Sequence, residues 1–330
     1  MGKACKLIVC CLLPVAPFLS SYTLELHYVN IKKEDGGKLM KVIGTVEGTK
    51  EILNRYPFVF KKKFGQNFLI NPHTLDKIIE AADISEDDCI IEIGPGIGCV
   101  TQQLLSKAGK VIAIEIDNNL IPILEDNFGD CPNFTLINDD VLKVDLHQLI
   151  REQAQGKNIK VVANLPYYIT TPIIMMLLEN QLDLETITVM VQKEVALRMD
   201  AQPGTKQYGA ITVALNYYTS SYLVTNVSRH CFMPSPNVDS AVIQFKLHDK
   251  PPVDVKDERL LFQIIKAAFA QRRKTLLNTL FARGGLNIPK DELKTILDES
   301  GIGASVRGET LSLEEFAVLT NIIWDYQNKS

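Results

Sequence analysis

Asn164-Leu165-Pro166-Tyr167 places an amide side chain, a proline and an aromatic ring in a row, a set suited to holding a planar base by its amino group. The exocyclic nitrogen of adenine is a poor nucleophile because its lone pair is delocalised into the ring. An amide oxygen, Asn164 Oδ1, and a main-chain carbonyl, that of Leu165, could accept its two N–H groups, align it with an electrophile and favour charge building on nitrogen. Pro166 fixes its own backbone angle and biases Leu165 to an extended conformation. Tyr167 can stack on the base face, and Phe232, heading Phe232-Met233-Pro234-Ser235-Pro236, is read as the facing wall. No strong base is needed, since the nitrogen turns cationic on attack and sheds its proton readily. The bland alternative has Asn164 capping a helix, Pro166 in its first turn and Tyr167 in the core.

A partner for that chemistry is written upstream. Glu92-Ile93-Gly94-Pro95-Gly96-Ile97-Gly98 is a glycine loop of the kind that lets backbone approach a nucleotide-like ligand at a helix N-terminus. Glu115 lies 21 residues after Gly94, where a carboxylate can accept both ribose hydroxyls. A dinucleotide fingerprint would require glycine at 99, and the residue there is Cys99. The tighter spacing at 94, 96 and 98 suits S-adenosylmethionine, which has no pyrophosphate to seat. Asp139 and Asp140 are both placed to accept from the adenine amino group of such a cofactor, and spacing leaves the choice between them open.

The elements that must carry these residues alternate. Apolar runs at 88–94, 111–116, 134–139, 159–165 and 186–192 read as strands, with helical spacing at 101–109 and 118–128. Short β-branched runs separated by helices predict a mostly parallel sheet covered on both faces. Residues 222–232 and 240–248 read as an antiparallel pair at one sheet edge. The break at Lys250-Pro251-Pro252 marks a boundary, followed by three helical patterns. The expected domains are a catalytic domain over 40–250 and a helical domain over 251–330.

Residues 1–39 are set apart as a disordered or misassigned N-terminal extension, with Met40 a plausible start. Their apolar run, Leu7 to Leu19, follows Lys3 and Lys6 in the order of a signal peptide, but 13 residues are too few to span a bilayer. With 39 acidic against 35 basic side chains and 46% apolar residues, the composition speaks against generic nucleic-acid coating. RNA contact must then come from local patches. The candidates are Lys61, Lys62 and Lys63, and Arg272, Arg273 and Lys274, the latter expected mid-helix; either run could equally be a solvated face. Seven cysteines without paired spacing read as free thiols, and no metal site is expected. The expected location is cytoplasmic, without a membrane, and the expected state a monomer.

Several ordered motifs together resemble a known family, the ribosomal RNA adenine N6,N6-dimethyltransferases, and within it the bacterial small-subunit enzymes. They are FGQNFL at 64–69, IEIGPGIG at 91–98, IEID at 114–117, NLPYY at 164–168, VQKEVA at 191–196, FMPSPNVDSAV at 232–242, AFAQRRKTLLNTL at 268–280 and RGETLSLEEF at 307–316. The resemblance spans roughly 50–325 and implies a Rossmann-like class I S-adenosylmethionine-dependent methyltransferase, with a seven-stranded mostly parallel sheet and a small helical domain. It implies that Gln66 and Asn67, with Leu69 of the same motif, lie against the cofactor together with Gly94, Gly96 and Asn164. It further assigns Glu115 to the cofactor ribose, Asp140 to its adenine, and Asn164, Leu165, Pro166, Tyr167 and Phe232 to the target base. The implied reaction is dimethylation of two adjacent adenosines in the 3′-terminal hairpin loop of 16S ribosomal RNA during late small-subunit assembly. The rivals are a 23S adenine methyltransferase of the macrolide-resistance kind, a DNA adenine methyltransferase and a binding protein that has kept only the fold. The QRRKTLLNTL and RGETLSLEEF motifs favour the small-subunit enzyme. The family has no counterpart before about Met40.

Overall fold

The computed structural model describes residues 42–56 and 65–328. The expected N-terminal extension and Lys61, Lys62 and Lys63 lie outside the described residues. The described residues form two compact units, one of those up to Tyr168 with Val227–Asn237, the other of Ile169–Asn226 with those from Val238 on.

In the first unit the elements run α1 (Val46–Arg55), β1 (Phe68–Leu69), α2 (Pro72–Ala82), β2 (Asp88–Ile93), α3 (Cys99–Leu105), β3 (Lys110–Glu115), α4 (Ile121–Phe128), β4 (Phe134–Asn138), α5 (Leu146–Gln153) and β5 (Asn158–Asn164). Every residue of β2 is buried, so Cys89, Ile90, Ile91 and Ile93 pack on both faces rather than alternating with exposed polar residues, and Asp88 and Glu92 are buried among them. It pairs in parallel with β3 on one side and β5 on the other, and β3 pairs in parallel with β4. Because the four strands are parallel, Gly94, Glu115, Asp140 and Asn164 all fall just at or beyond strand C-termini, on one rim. The opposite end is pinned by the buried Lys160, whose Nζ meets Asp88 Oδ2 at 3.1 Å and the Asp83 carbonyl at 2.6 Å. The chain from Val42 folds onto α3, with Ile43 fully buried and its N–H donating to Gln102 Oε1 at 2.9 Å.

The second unit carries α6 (Thr170–Glu179), β6 (Leu184–Gln192), α7 (Lys193–Met199), α8 (Ala210–Tyr218), most of β7 (Thr219–Val227), β9 (Ser240–Leu247), α9 (Glu258–Phe269), α10 (Leu276–Arg283), α11 (Lys290–Glu299) and α12 (Leu313–Asn328). β6 and β9 are antiparallel, from Thr186 opposite Lys246 to Gln192 opposite Ser240. The seven-stranded sheet has the order β4-β3-β2-β5-β6-β9-β7, parallel through β5 and mixed beyond. Among the described residues no helix is long and apolar enough to cross a membrane.

Three expectations need correction. The strand read over 222–232 ends at Val227; Ser228 then caps a 3₁₀ turn at Arg229–Cys231, and β8 (Phe232–Met233) pairs instead with β1. Gln271–Lys274 is not mid-helix, because α9 stops at Phe269 and α10 starts at Leu276. The helical period runs through the turn, but Leu276 N–H donates to the Val306 carbonyl at 2.7 Å, a tertiary bond that takes the place of a helical one. The helical segment, divided by that turn into α9 and α10, holds four helices where three were read. It also shares its core with the preceding chain: Tyr208, Val213 and Tyr217 join Leu261, Ile264, Leu280, Leu297 and Phe316, and Tyr208 Oη donates to the Leu311 carbonyl at 2.8 Å. That shared core places α8 and the C-terminal helices in the same compact unit.

Candidate active site

Gly94, Gly96 and Gly98 all have positive φ, +69°, +63° and +92°, a region in which side chains are strained. Their surroundings differ. A Cβ on Gly94 would meet nothing nearer than the Asn164 carbonyl oxygen at 3.9 Å, so the loop leaves open space beside the end of β5. A Cβ on Gly98 would run into the fully buried Phe128 ring. Gly98→Ala is therefore expected to destabilise the fold by roughly 2–4 kcal/mol through clash and strain, read as a lower melting temperature. Adding Phe128→Leu should recover part of that loss; an unchanged melting temperature in the single variant would refute the account.

Glu115, at the end of β3, is 5% exposed. Its Oε2 accepts from Gly96 N–H at 3.2 Å and its Oε1 from Asp117 N–H at 2.8 Å. Burial pushes its carboxyl up to about 7, against the opposing pull of those amides. Each oxygen keeps a further acceptor position, which is what a pair of ribose hydroxyls requires. Ile116 and Leu142, just past the ends of β3 and β4, are exposed apolar residues on the same strand-end rim. Of the two adjacent aspartates, Asp140 is the one whose charge, with that of Glu115, reaches the Tyr168 phenol and raises it beyond the effect of burial. Asp139 instead accepts from Asp140 N–H at 2.7 Å and is exposed.

Beneath the loop, Glu92 is buried and its Oε2 has no hydrogen-bond partner. Burial pushes it up to about 8. An acid raised in the folded state binds its proton more tightly there than in the unfolded chain, so its contribution to stability is fully present below about 4.5 and is lost as pH rises through 8. The ligand-free protein should lose on the order of a few kcal/mol over that span. Glu92→Gln should flatten the upper part of a plot of melting temperature against pH, and parallel curves for the two proteins would rule the assignment out.

A strap crosses the rim. Gln66 Nε2 donates to Asp117 Oδ2 at 2.6 Å, the Phe68 ring lies against Gly96, and the Asn67 carbonyl faces Asn164 Nδ2 at 3.5 Å. Ile70 N–H donates to the Cys231 carbonyl at 2.8 Å, continuing the pairing of β1 with β8. One short segment thus touches the end of β3, the glycine loop and the end of β5. With Asn164 Nδ2 turned to the strap, its Oδ1 is free to serve as the acceptor. Leu69 and Leu165 are buried. Pro166 and Tyr167 are half-buried. Phe232, at 4% exposure, is part of the wall rather than an open stacking platform.

Gly94, Gly96, Glu115, Asp140 and Asn164 thus share one rim with the strap residues Gln66 and Asn67, and the basic residues are not placed with them. Arg272 is held by Glu309, with Nη2 at 2.8 Å and Nε at 3.0 Å from one carboxylate oxygen, while Arg273 and Lys274 are exposed. Asp117 and Tyr168 were overlooked as site residues although they stand inside the IEID and NLPYY motifs. Cys99 is buried, with its thiol pushed up to about 12, and offers no nucleophile.

Comparison with known proteins decides the family: the model described as ribosomal RNA adenine dimethylase matches residues 58–323. The chain belongs to that family. Among curated members, the ribosomal RNA small subunit methyltransferase A of Lachnoclostridium phytofermentans is 55% identical, over 86% of this chain and 98% of its own length. That of Clostridioides difficile is 51% identical over the same shares. Of solved structures, a dimethyladenosine transferase from Plasmodium falciparum superposes with a TM-score of 0.65 at 27% identity, covering 76% of this chain and 95% of that one. The 23S rRNA methyltransferase ErmE superposes with a TM-score of 0.60 at 25% identity, covering 78% and 99%. This member of the dimethylase family is an enzyme on a Rossmann-like methyltransferase fold.

Proposed function

We propose that the protein dimethylates N6 of two adjacent adenosines in the 3′-terminal hairpin loop of 16S ribosomal RNA, using S-adenosylmethionine, during late assembly of the small subunit. The observation that carries this reading is the juxtaposition at the strand ends: the open side of Gly94 faces the end of β5, where Asn164 is held by the strap with its amide oxygen available. The fit to the cofactor rests on the acceptor positions left on Glu115, the space beside Gly94 and the apolar rim. When bound, S-adenosylmethionine supplies an electrophilic methyl group. Glu115 would hold its ribose and Asp140 its adenine, with Gln66, Asn67, Leu69, Gly94 and Gly96 closing around it. Asn164 Oδ1 and the Leu165 carbonyl would accept the N–H groups of the target base, Tyr167 would stack on that base, and Phe232 would back the pocket. Residues 40–250 would form the catalytic domain and 251–330 a helical domain aiding RNA recognition, with Lys61, Lys62, Lys63, Arg272, Arg273 and Lys274 on phosphates.

The decisive experiment gives the enzyme methyl-labelled S-adenosylmethionine with unmodified small subunits and, separately, large-subunit RNA, and then identifies the labelled nucleosides. Dimethyladenosine confined to the small-subunit 3′ hairpin is expected. Label in large-subunit RNA would transfer the protein to the resistance type, and particle binding without label would make it a binding protein on this fold.

A further inference from the structure

We propose that the face of α10 and α11 around Phe281 is a docking site for an unpaired nucleotide of ribosomal RNA, a partner that rests on the RNA reading above. Both helices belong to the same compact unit. α10 buries Leu276 and Leu280 against the helical core, yet presents Phe281 to solvent at 55% exposure. A lone exposed apolar residue needs no explanation, but this one has a lysine against its ring. Lys290 Nζ stands 5.9 Å from its ring centroid. Lys294, exposed, is one turn further along α11, and Arg273 and Lys274 are exposed in the turn that precedes α10, whereas Arg283 lies roughly 200° round α10 from Phe281. Asp291 and Glu292 lie roughly 100° and 200° round the helix axis from Lys290. Asn278, one turn before Phe281, is exposed and uncharged.

An accessible aromatic ring with a lysine against it and a second one turn further on is a combination that binds a splayed-out base: the ring stacks on the base, and the lysines meet the adjacent phosphates. In the free protein Lys290 occupies the attractive position over the ring. On docking, it can swing to a phosphate while the base takes its place. A protein partner would instead want a broader apolar patch, and here the ring stands alone among charges.

The test uses the full-length enzyme with unmethylated small ribosomal subunits. Phe281→Ala should raise KM for the particle about tenfold, the size expected for one lost stacking contact, leaving kcat, the affinity for S-adenosylmethionine and the melting temperature unchanged. Phe281→Trp should match the wild type, whereas Phe281→Leu, apolar without a π face, should behave like the alanine variant. A photo-crosslinking phenylalanine analogue at 281 should label RNA. A KM within twofold of wild type in Phe281→Ala, full function in Phe281→Leu, or a crosslink to ribosomal protein would each overturn the proposal. A wild type that places no label on small-subunit RNA would count against the proposed function, and the crosslink would still report what Phe281 touches.

Discussion

Asn164→Ala is expected to lower single-turnover methylation about 10²–10³-fold while changing binding to unmodified small subunits by less than about twofold. The lost oxygen is one of two acceptors that favour charge on the attacking nitrogen, and removal of one such group from a preorganised site costs this much. RNA affinity comes chiefly from phosphate contacts made elsewhere. The fold should survive, because the side chain's hydrogen bond to Asn67 is long, at 3.5 Å. Asn164→Asp keeps an acceptor oxygen but gives up the N–H that turns it towards the site, so a partial recovery over alanine is expected. Quench-flow methylation and filter binding on the same preparations separate the two quantities. If binding fell in step with methylation in a normally folded variant, Asn164 would be a recognition residue and the assigned chemistry would be wrong.

Glu115→Ala should weaken S-adenosylmethionine binding about 10²-fold in isothermal titration. The substitution removes the acceptor for the ribose and also orphans the Gly96 and Asp117 amides, each donating to the carboxylate at 3.2 Å and 2.8 Å, so the loop loses its template as well as its ligand contact. Only the ionised carboxylate has both oxygens free to accept. Since burial lifts this group to about 7, wild-type affinity should rise about tenfold per pH unit below 7 and level off above it. Glu92, raised to about 8, stays neutral over most of that range and leaves Glu115 as the titrating group. Glu115→Gln should abolish the slope. A wild-type affinity that is flat from pH 5.5 to 8 would refute the role of the carboxylate.

Much of the catalytic side was legible because its signals are local. β-branched runs buried on both faces announce parallel strands, and in a parallel sheet every strand end falls on one rim, so Gly94, Glu115, Asp140 and Asn164 were placed together by topology alone. The strap was legible only as a motif. Nothing in Gln66 or Asn67 themselves says that one reaches Asp117 and the other Asn164, since both bonds join residues more than fifty positions apart. Arg272 shows the same limit from the other side: it read as a free cation, and Glu309, 37 residues on, holds it.

The family, the alternation of strands and helices, and the chemical types at the strand ends can all be read along the chain, because these depend on neighbouring residues and on a repeated pattern. Tertiary structure alone decided that α9 breaks before α10, where a long-range bond from Leu276 to Val306 displaces a helical one. It decided that the C-terminal helices share a core with Tyr208 and α8, and that Phe232 is buried while Phe281 is exposed. In each case the outcome depends on which distant surface arrives to cover a residue, and a phenylalanine carries the same side chain whether or not anything does.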